Sequence, residues 1–187
     1  MDLGSGEQKQ LTAGAEVDSQ PICTPDGQWV IFKSLRQGKS TFWKVSLAGG
    51  APEQFSDKSA SWAAISPDGK LVALRYFDEQ ANANRIAVLP LAGGEPIKTL
   101  EVPVGFRDVG LGWTGDNRAL VYADSRGSGD TNADNLWTAP IDGTPAKQLT
   151  NFTSGLIFAF QLSGDGKKIA LSRGTQTDDV ILLRESE

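Results

Sequence analysis

Four aspartates recur at nearly constant spacing, and shared carboxylate chemistry is the first function that such a pattern suggests. They are 42, 48 and 49 residues apart: Asp26, Asp68, Asp116 and Asp165. Each precedes a short apolar run, and an Asp-Gly pair there suits a tight hairpin, because the carboxylate accepts backbone hydrogen bonds while glycine adopts positive φ. We therefore interpret them as turn residues in separate repeats. The predicted turn residues are Asp26, Gly27, Asp68, Gly69, Asp116, Asp165 and Gly166.

The sequence lacks the residues that enzymes usually use for nucleophilic or metal-assisted hydrolysis. The 187 residues include no histidine, which excludes a Ser-His-Asp triad, a Cys-His pair and a His-ligated zinc site. The single cysteine, Cys23, follows Ile22 on a predicted strand, and we expect it to be a buried packing residue rather than a reactive thiol. One cysteine cannot form an internal disulfide. We expect no catalytic residues, and hence no enzyme.

Residues 130–135 are the candidate metal site. Their oxygen-bearing side chains alternate as in a calcium loop, but Asn135 stands where glycine is expected and Ile141 where the twelfth-position glutamate is expected. We therefore expect a polar loop rather than a calcium site, with no metal and no cofactor.

The turn motifs belong to a longer repeat of strands. The runs after the four aspartates are rich in valine, isoleucine, leucine and aromatic residues, and they have the length of a strand. A second turn marker recurs out of phase with the first, at residues 3–6, 47–50, 91–94 and 141–143. It is followed each time by a polar, strand-like stretch. The aspartate turn and the glycine turn each recur at their own position in the repeat, which indicates a true sequence repeat rather than chance similarity.

Each repeat therefore contains four strands: one before the aspartate turn, one after it, one before the glycine turn, and a polar fourth. This pattern and a period of 40 to 50 residues are typical of β-propeller blades. We predict an all-β array of about four four-stranded blades, either a partial propeller or one closed by pairing of the terminal strands. The five tryptophans fall on predicted strands, and we expect them in the core between blades. They are Trp29, Trp43, Trp62, Trp113 and Trp137.

The phase of the repeat gives the predicted blade boundaries. A single domain, 1–187, would hold blades at about 17–57, 58–102, 106–151 and 156–187, the last completed by residues 1–12. Residues 8–12 would then supply a fourth strand to the third strand at 180–183. The first residues correspond to the middle of a repeat, so we expect the chain to be part of a longer protein. Two chains that form one larger ring are the alternative to closure within one chain.

The repeats resemble those of the TolB-type β-propellers, a WD-repeat-like family. Ser-Pro-Asp-Gly-Lys at 66–70 with Leu-Ala-Gly-Gly at 91–94 is the clearest copy, and the resemblance covers nearly the whole chain. The third repeat departs from it, with Gly115 in place of proline and Asn117 in place of glycine. The resemblance implies a binding or sensor module, such as the C-terminal propeller of a bacterial serine/threonine kinase or transcriptional regulator. A sensor tail would be periplasmic or extracytoplasmic, and other settings cytoplasmic.

A second group of charged residues lies at the opposite strand ends from the aspartate turns. The register places these residues on one axial rim, where a mixed set of acids and arginines would suit a peptide or a small polar ligand. A solvated rim held by ion pairs is the alternative. The candidate ligand-binding residues are Asp18, Arg75, Arg107, Asp108 and Arg173.

Composition limits the possible partners. The net charge of −5 and the lack of a basic run argue against nucleic acid. No stretch approaches the ~20 apolar residues that span a bilayer, so we expect no membrane insertion. The leading hypothesis is a non-catalytic module for a protein or peptide partner. The alternatives are a substrate-gating domain of a hydrolase whose catalytic domain lies elsewhere, and a propeller fragment that forms a homodimer through its terminal strands.

Overall fold

The fold was analysed in a computed structural model that describes residues 4–14, 17–103, 105–125 and 133–176. Within these ranges every regular element is a strand. The strands are β1 (Val17–Cys23), β2 (Trp29–Arg36), β3 (Lys39–Ser46), β4 (Glu53–Gln54), β5 (Ala60–Ile65), β6 (Leu71–Asp78), β7 (Ala83–Pro90), β8 (Lys98–Glu101), β9 (Phe106–Trp113), β10 (Ala119–Asp124), β11 (Asn135–Pro140), β12 (Lys147–Gln148), β13 (Leu156–Leu162) and β14 (Ile169–Gly174).

The strands form four antiparallel sheets in which neighbours in sequence are neighbours in space. Blade 1 has the order β1-β2-β3-β4, blade 2 β5-β6-β7-β8 and blade 3 β9-β10-β11-β12, and blade 4 shows β13-β14. The all-β prediction and the four-strand repeat are confirmed in the three complete blades. Residues 180–183, the predicted third strand of blade 4, lie outside the described residues. Among those residues there is no helix of the length and apolar character needed to cross a bilayer.

Hydrophobic packing joins each blade to the next. In β6, Val72 and Leu74 face blade 1, whereas Ala73 faces blade 3, because successive strand residues point to opposite faces. Trp113 of blade 3 is 3% exposed, and its indole N–H donates to the carbonyl oxygen of Ala64 in blade 2 at 2.9 Å. The other four tryptophans are half-buried, so the predicted inter-blade core role is fully met by Trp113 alone.

The aspartate turns have the predicted structure. In blade 2, the Ser66 hydroxyl donates to Asp68 Oδ1 at 2.6 Å, and the backbone N–H of Lys70 donates to the same oxygen at 3.1 Å. Gly69 has φ +69°, and Asn117 takes the same left-handed conformation in blade 3 with φ +60°. The corresponding hydrogen bonds recur at Thr24–Asp26, Thr114–Asp116 and Ser163–Asp165. Each carboxylate therefore has a local structural role, as predicted.

Neighbouring turns also contact one another, which explains the departures in blade 3. The Asn117 side-chain oxygen accepts the backbone N–H of Asp68 at 3.0 Å, a bond that glycine could not make. Gly115 lies against the backbone of Asp165 and Gly166, where any side chain at 115 would collide with the Asp165 carbonyl oxygen. The two unusual residues of the third repeat thus bind the turns of blades 2 and 4.

The hydrogen bonds of the aspartate turns make the stability of the domain dependent on pH. Donation by Thr24, Ser66, Thr114 and Ser163 hydroxyls is the main cause that lowers the pKa of the paired aspartates below 3.8. A carboxyl group whose pKa is lowered by folding stabilises the folded state above its unfolded pKa, and this stabilisation is lost as the pH falls through the folded pKa.

We expect the free energy of unfolding, measured by urea denaturation, to decrease as the pH is lowered below about 4. In a variant with all four aspartates changed to asparagine, the free energy of unfolding should decrease less between about pH 6 and about pH 3 than in the unmodified domain. Equal decreases in the two proteins would contradict this role of the aspartates.

The N-terminal segment packs on blade 1 without forming a strand. Residues 6–13 have no strand assignment, although 8–12 were predicted to be a fourth strand. The Lys9 ammonium donates to the carbonyl oxygens of Leu47 and Ala48 at 3.1 and 2.5 Å, and Leu11 packs against a cluster that includes Phe32 and Val45. The predicted partner at 180–183 lies outside the described residues, so completion of blade 4 by residues 1–12 stays a prediction.

Candidate functional site

The innermost strands of all four blades line one cavity of about 580 Å³. They are β1, β5, β9 and β13, and they converge on a common axis. The lining residues include Gln20, Trp62, Leu111 and Gln161 but no aspartate, glutamate, lysine or arginine. The cavity wall is therefore uncharged, with apolar surface and a few amide groups.

Cys23 corrects an expectation from the sequence. It lies on the cavity wall and is exposed rather than buried. The burial prediction assumed that strand residues next to Ile22 would face a neighbouring blade. Ile22 does pack against the core cluster of blades 1 and 2, but alternation along the strand turns Cys23 the other way.

Each inner strand has an irregularity near its beginning. The register shifts between Ser19 and Ile22 in β1, and Ala60 and Trp62 in β5. Equivalent shifts occur in β9, opposite Tyr122–Ala123, and in β13, between Ile157 and Ala159. Such bulges re-aim side chains and increase the local twist. Here they separate the cavity-lining part of each strand from a charged rim.

Two of the predicted rim residues meet directly. The Arg75 guanidinium of blade 2 forms an ion pair with Asp108 of blade 3, with Nη1 and Oδ2 2.9 Å apart. The same Nη1 donates to the Ser61 hydroxyl at 2.9 Å, and the guanidinium lies 5.0 Å from the Phe106 ring centre. Ser61 and Asp108 lie on the bulges of β5 and β9, so the bulges create this inter-blade contact.

Arg107 pairs with Asp134, which the sequence analysis had placed in the candidate calcium segment and not on the rim. Its Nε lies 3.2 Å from Asp134 Oδ2, and the Asp134 side chain is 1% exposed. Asp134 Oδ2 also accepts the backbone N–H of Ile157 at 2.9 Å, which links blades 3 and 4. Only tertiary structure reveals this pair, because the two positions lie 27 apart in the sequence and the calcium-like segment that includes Asp134 gives no sign of a contact with Arg107.

The remaining rim candidates lie apart from these pairs. Arg173 donates to the Ser154 carbonyl oxygen and lies 3.9 Å from the Phe152 ring centre. Asp18 is opposite Ser34 in the β1–β2 register. Among the described residues, neither forms an ion pair with the other rim candidates. All five predicted residues are at the strand ends away from the aspartate turns, but the contacts join only Arg75 to Asp108.

The described part of the candidate calcium segment is occupied by structural contacts. Asn135 Oδ1 accepts hydrogen bonds from the Thr150 hydroxyl at 2.9 Å and the Phe152 backbone N–H at 2.7 Å. Its amide also donates to the Phe152 carbonyl oxygen at 3.1 Å. Asp134 is paired with Arg107. Residues 130–132 lie outside the described residues. Among the described residues, no three cysteine, aspartate or glutamate side chains are grouped so that they could hold a metal ion.

Meandering four-stranded sheets, arranged around an axial cavity lined by their first strands, define a β-propeller domain with an open ring. A sequence match refines this class: the TolB beta propeller domain family matches residues 1–155. The chain therefore belongs to the TolB β-propeller family.

Individual relatives show how far the similarity extends. An uncharacterised protein of Agrobacterium fabrum is 32% identical in an alignment of 108 residues, and the match covers 54% of this chain and 36% of the relative. The chain thus spans about a third of the length of that curated relative.

Solved structures support the fold. TolB from Acinetobacter baumannii has a TM-score of 0.63 at 21% identity, covering 83% of this chain and 37% of its own. Prolyl endopeptidases give a TM-score of 0.64 at 19% identity, covering 86% of this chain and 25% of theirs.

Proposed function

We propose that the domain is a non-catalytic module that binds an extended segment of a protein or peptide partner at the axial cavity. The single observation that carries this proposal is the cavity itself, with an uncharged wall formed by all four inner strands. Concave, mostly apolar cavities with few polar groups are the usual form of ligand sites. The uncharged wall favours an uncharged part of the partner, because a buried charge without a counter-charge is costly.

The rim supports contacts with a more polar part of the same partner. Arg107 and Asp108 directly precede Val109, the first cavity-lining residue of β9. The Arg107 side chain is 40% exposed and Asp108 48%, so both can contact a ligand while keeping their ion pairs. The partner segment would therefore place uncharged side chains in the cavity and a charged or polar residue at the rim.

The test starts from random linear peptides displayed on phage and selected against the purified domain. Enriched peptides are then synthesised with a fluorophore, and their Kd is measured by fluorescence anisotropy. Ala159 is exposed and lines the cavity, so Ala159→Trp should fill it and weaken binding by about tenfold or more. Thr99→Trp on the exposed side of β8 is the matched control and should leave the Kd unchanged.

The rim contribution is measured with an Arg75→Ala/Arg107→Ala double variant. We expect weaker binding and a smaller dependence on salt, because the Arg107 side chain, which is 40% exposed, would contact the partner through a charge that salt screens. If Ala159→Trp binds every enriched peptide as tightly as the unmodified domain, the axial site is wrong. If no peptide is enriched over a control protein, the proposed function fails as a whole.

The wider setting is proposed from family membership and from the resemblance of the repeats. We propose that the domain is the sensory or scaffolding part of a larger bacterial protein. The fold likeness to prolyl endopeptidases supports the alternative of a gating domain in a hydrolase. A peptidase domain in the rest of the parent sequence would favour the alternative, whereas a kinase or regulator domain would favour the sensor.

A further inference from the structure

A second groove lies at the junction of blades 1 and 2, on the side of the aspartate turns. Its volume is about 480 Å³. Blade 1 contributes its aspartate turn and residues of β2 and β3, and blade 2 contributes its aspartate and glycine turns. Both walls belong to complete blades that pack on each other, so the groove is separate from the axial cavity. The lining residues include Asp26, Trp29, Ile31, Lys44, Lys70 and Leu91.

Aliphatic side chains fill the same place at the junction of blades 2 and 3. Leu71 and Val88 of blade 2 pack there in one hydrophobic cluster with Ile141 of blade 3. At the groove, Trp29 stands at the Leu71 position, three residues after the turn aspartate. Lys44 stands at the Val88 position, as the registers of β2–β3 and β6–β7 show. An indole and an ammonium group therefore replace two aliphatic side chains in the wall of the groove.

A hydrogen bond that closes the junction of blades 2 and 3 has no counterpart at the groove. Asn117 of blade 3 accepts the backbone N–H of Asp68 at 3.0 Å. The equivalent residue of blade 2 is Gly69, which lies beside the aspartate turn of blade 1 and has no side chain. The backbone N–H of Asp26, a lining residue, therefore lacks the acceptor that its repeat equivalent has.

The glycine turn of blade 2 also lacks the lysine found at the glycine turns of blades 1 and 3. Lys9 donates to carbonyl oxygens in the glycine turn of blade 1, and the Lys98 ammonium lies beside the glycine turn of blade 3. Glu53 stands at the Lys98 position in β4, as the strand registers show. Leu91 and Ala92 line the groove, and no side chain of the described residues donates to their carbonyl oxygens. Two backbone acceptors are thus available in the groove wall.

The charged groups of the groove balance one another. The Lys44 ammonium lies 3.4 Å from Glu53 Oε2 and 5.1 Å from the Trp29 ring centre. Asp26 and Lys70 add one further charge of each sign. A ligand of either charge would therefore meet two like charges, which repel it. Charge complementarity favours a neutral ligand that carries both hydrogen-bond donors and acceptors.

We propose that this groove binds a neutral saccharide. Trp29 is half-buried, so part of its indole is exposed in the groove, where the C–H groups of a sugar ring can pack against its electron-rich face. Each sugar hydroxyl both donates and accepts hydrogen bonds. Hydroxyls therefore match the ammonium groups of Lys44 and Lys70 as well as the carbonyl oxygens of Leu91 and Ala92. This inference is independent of the proposed peptide site at the axial cavity.

The test screens neutral mono- and disaccharides of glucose, galactose, mannose and N-acetylglucosamine by saturation-transfer NMR. The Kd of each binder is then measured by isothermal titration calorimetry, and we expect at least one Kd of about 1 mM or lower. Trp29→Leu/Lys44→Val should weaken binding by about tenfold or more, because it restores the aliphatic pair that fills the junction of blades 2 and 3. Glu53→Lys should repeat this effect, since a lysine there would reach the carbonyl oxygens of the glycine turn as Lys9 does in blade 1.

Two controls separate this groove from the rest of the domain. Lys147→Glu changes the repeat position of Glu53 in blade 3, where the side chain is exposed, and should leave the saccharide Kd unchanged. Ala159→Trp, which fills the axial cavity, should also leave it unchanged. The proposal is overturned if no neutral saccharide binds, or if both groove variants bind as tightly as the unmodified domain. Loss of saccharide binding in Ala159→Trp, or tighter binding of glucuronic acid or glucosamine than of glucose, would overturn it as well.

Discussion

Trp113→Ala is expected to lower the free energy of unfolding by about 3–5 kcal/mol, the range for removal of a large buried aromatic side chain. Trp113 fills the interface between blades 2 and 3, beside Ala73 and Leu120, and donates its indole N–H to the Ala64 carbonyl oxygen. The alanine variant therefore leaves a cavity and removes the indole hydrogen bond. Urea denaturation followed by circular dichroism measures the loss.

Two further variants separate packing from hydrogen bonding. Trp113→Phe keeps most of the apolar contact but removes the indole N–H, and we expect a loss of about 0.5–1.5 kcal/mol for the one hydrogen bond removed. Trp62→Ala is the matched control because Trp62 is half-buried on the cavity wall, and it should cost less than Trp113→Ala. Equal losses for the two alanine variants would mean that Trp113 does not hold the blades together.

Gly115→Pro is expected to destabilise the domain by about 1–3 kcal/mol or more, the cost of inserting atoms into a packed site. Proline is the residue found at this position in the turns of blades 1 and 2, as Pro25 and Pro67. Restoring it in blade 3 should nevertheless be harmful, because a side chain at 115 would collide with the Asp165 carbonyl oxygen. Thermal and urea unfolding of the purified variant measure the effect.

Gly164→Pro provides the matched control at the same repeat position of blade 4. No atom lies within 4 Å of a Cβ at Gly164, so proline there should be neutral or stabilising by about 0.4–1 kcal/mol through the unfolded chain. The opposite order, with Gly115→Pro tolerated and Gly164→Pro harmful, would show that the turns of blades 3 and 4 do not touch as described.

The predicted rim shows the limit of register arguments. Counting from the turn aspartates placed Arg75 and Asp108 at the same end of their strands, and the structure joins them by an ion pair. The same counting could not find Asp134, because its contact with Arg107 depends on how blade 4 packs against blade 3. Whether these residues bind a partner stays a prediction.

The sequence alone determined the all-β class, the four-strand repeat and the structure of the aspartate turns. These features depend on contacts between residues close in the chain: Asp68, for example, accepts hydrogen bonds from Ser66 and Lys70. The short motif at residues 66–70 is enough to predict this local hydrogen bonding and the positive φ of Gly69. The period of 42 to 49 residues then gave the blade count.

Only the tertiary structure determined how the repeats contact one another. It showed why Gly115 and Asn117 replace the usual turn residues, since both contact turns of other blades. It also placed Cys23 on the exposed wall of the axial cavity instead of in a core, although its repeat equivalents, such as Trp113, are packed. The physical reason is that burial of a blade face depends on whether another blade lies against it, and a single repeat does not encode the presence or angle of its neighbour.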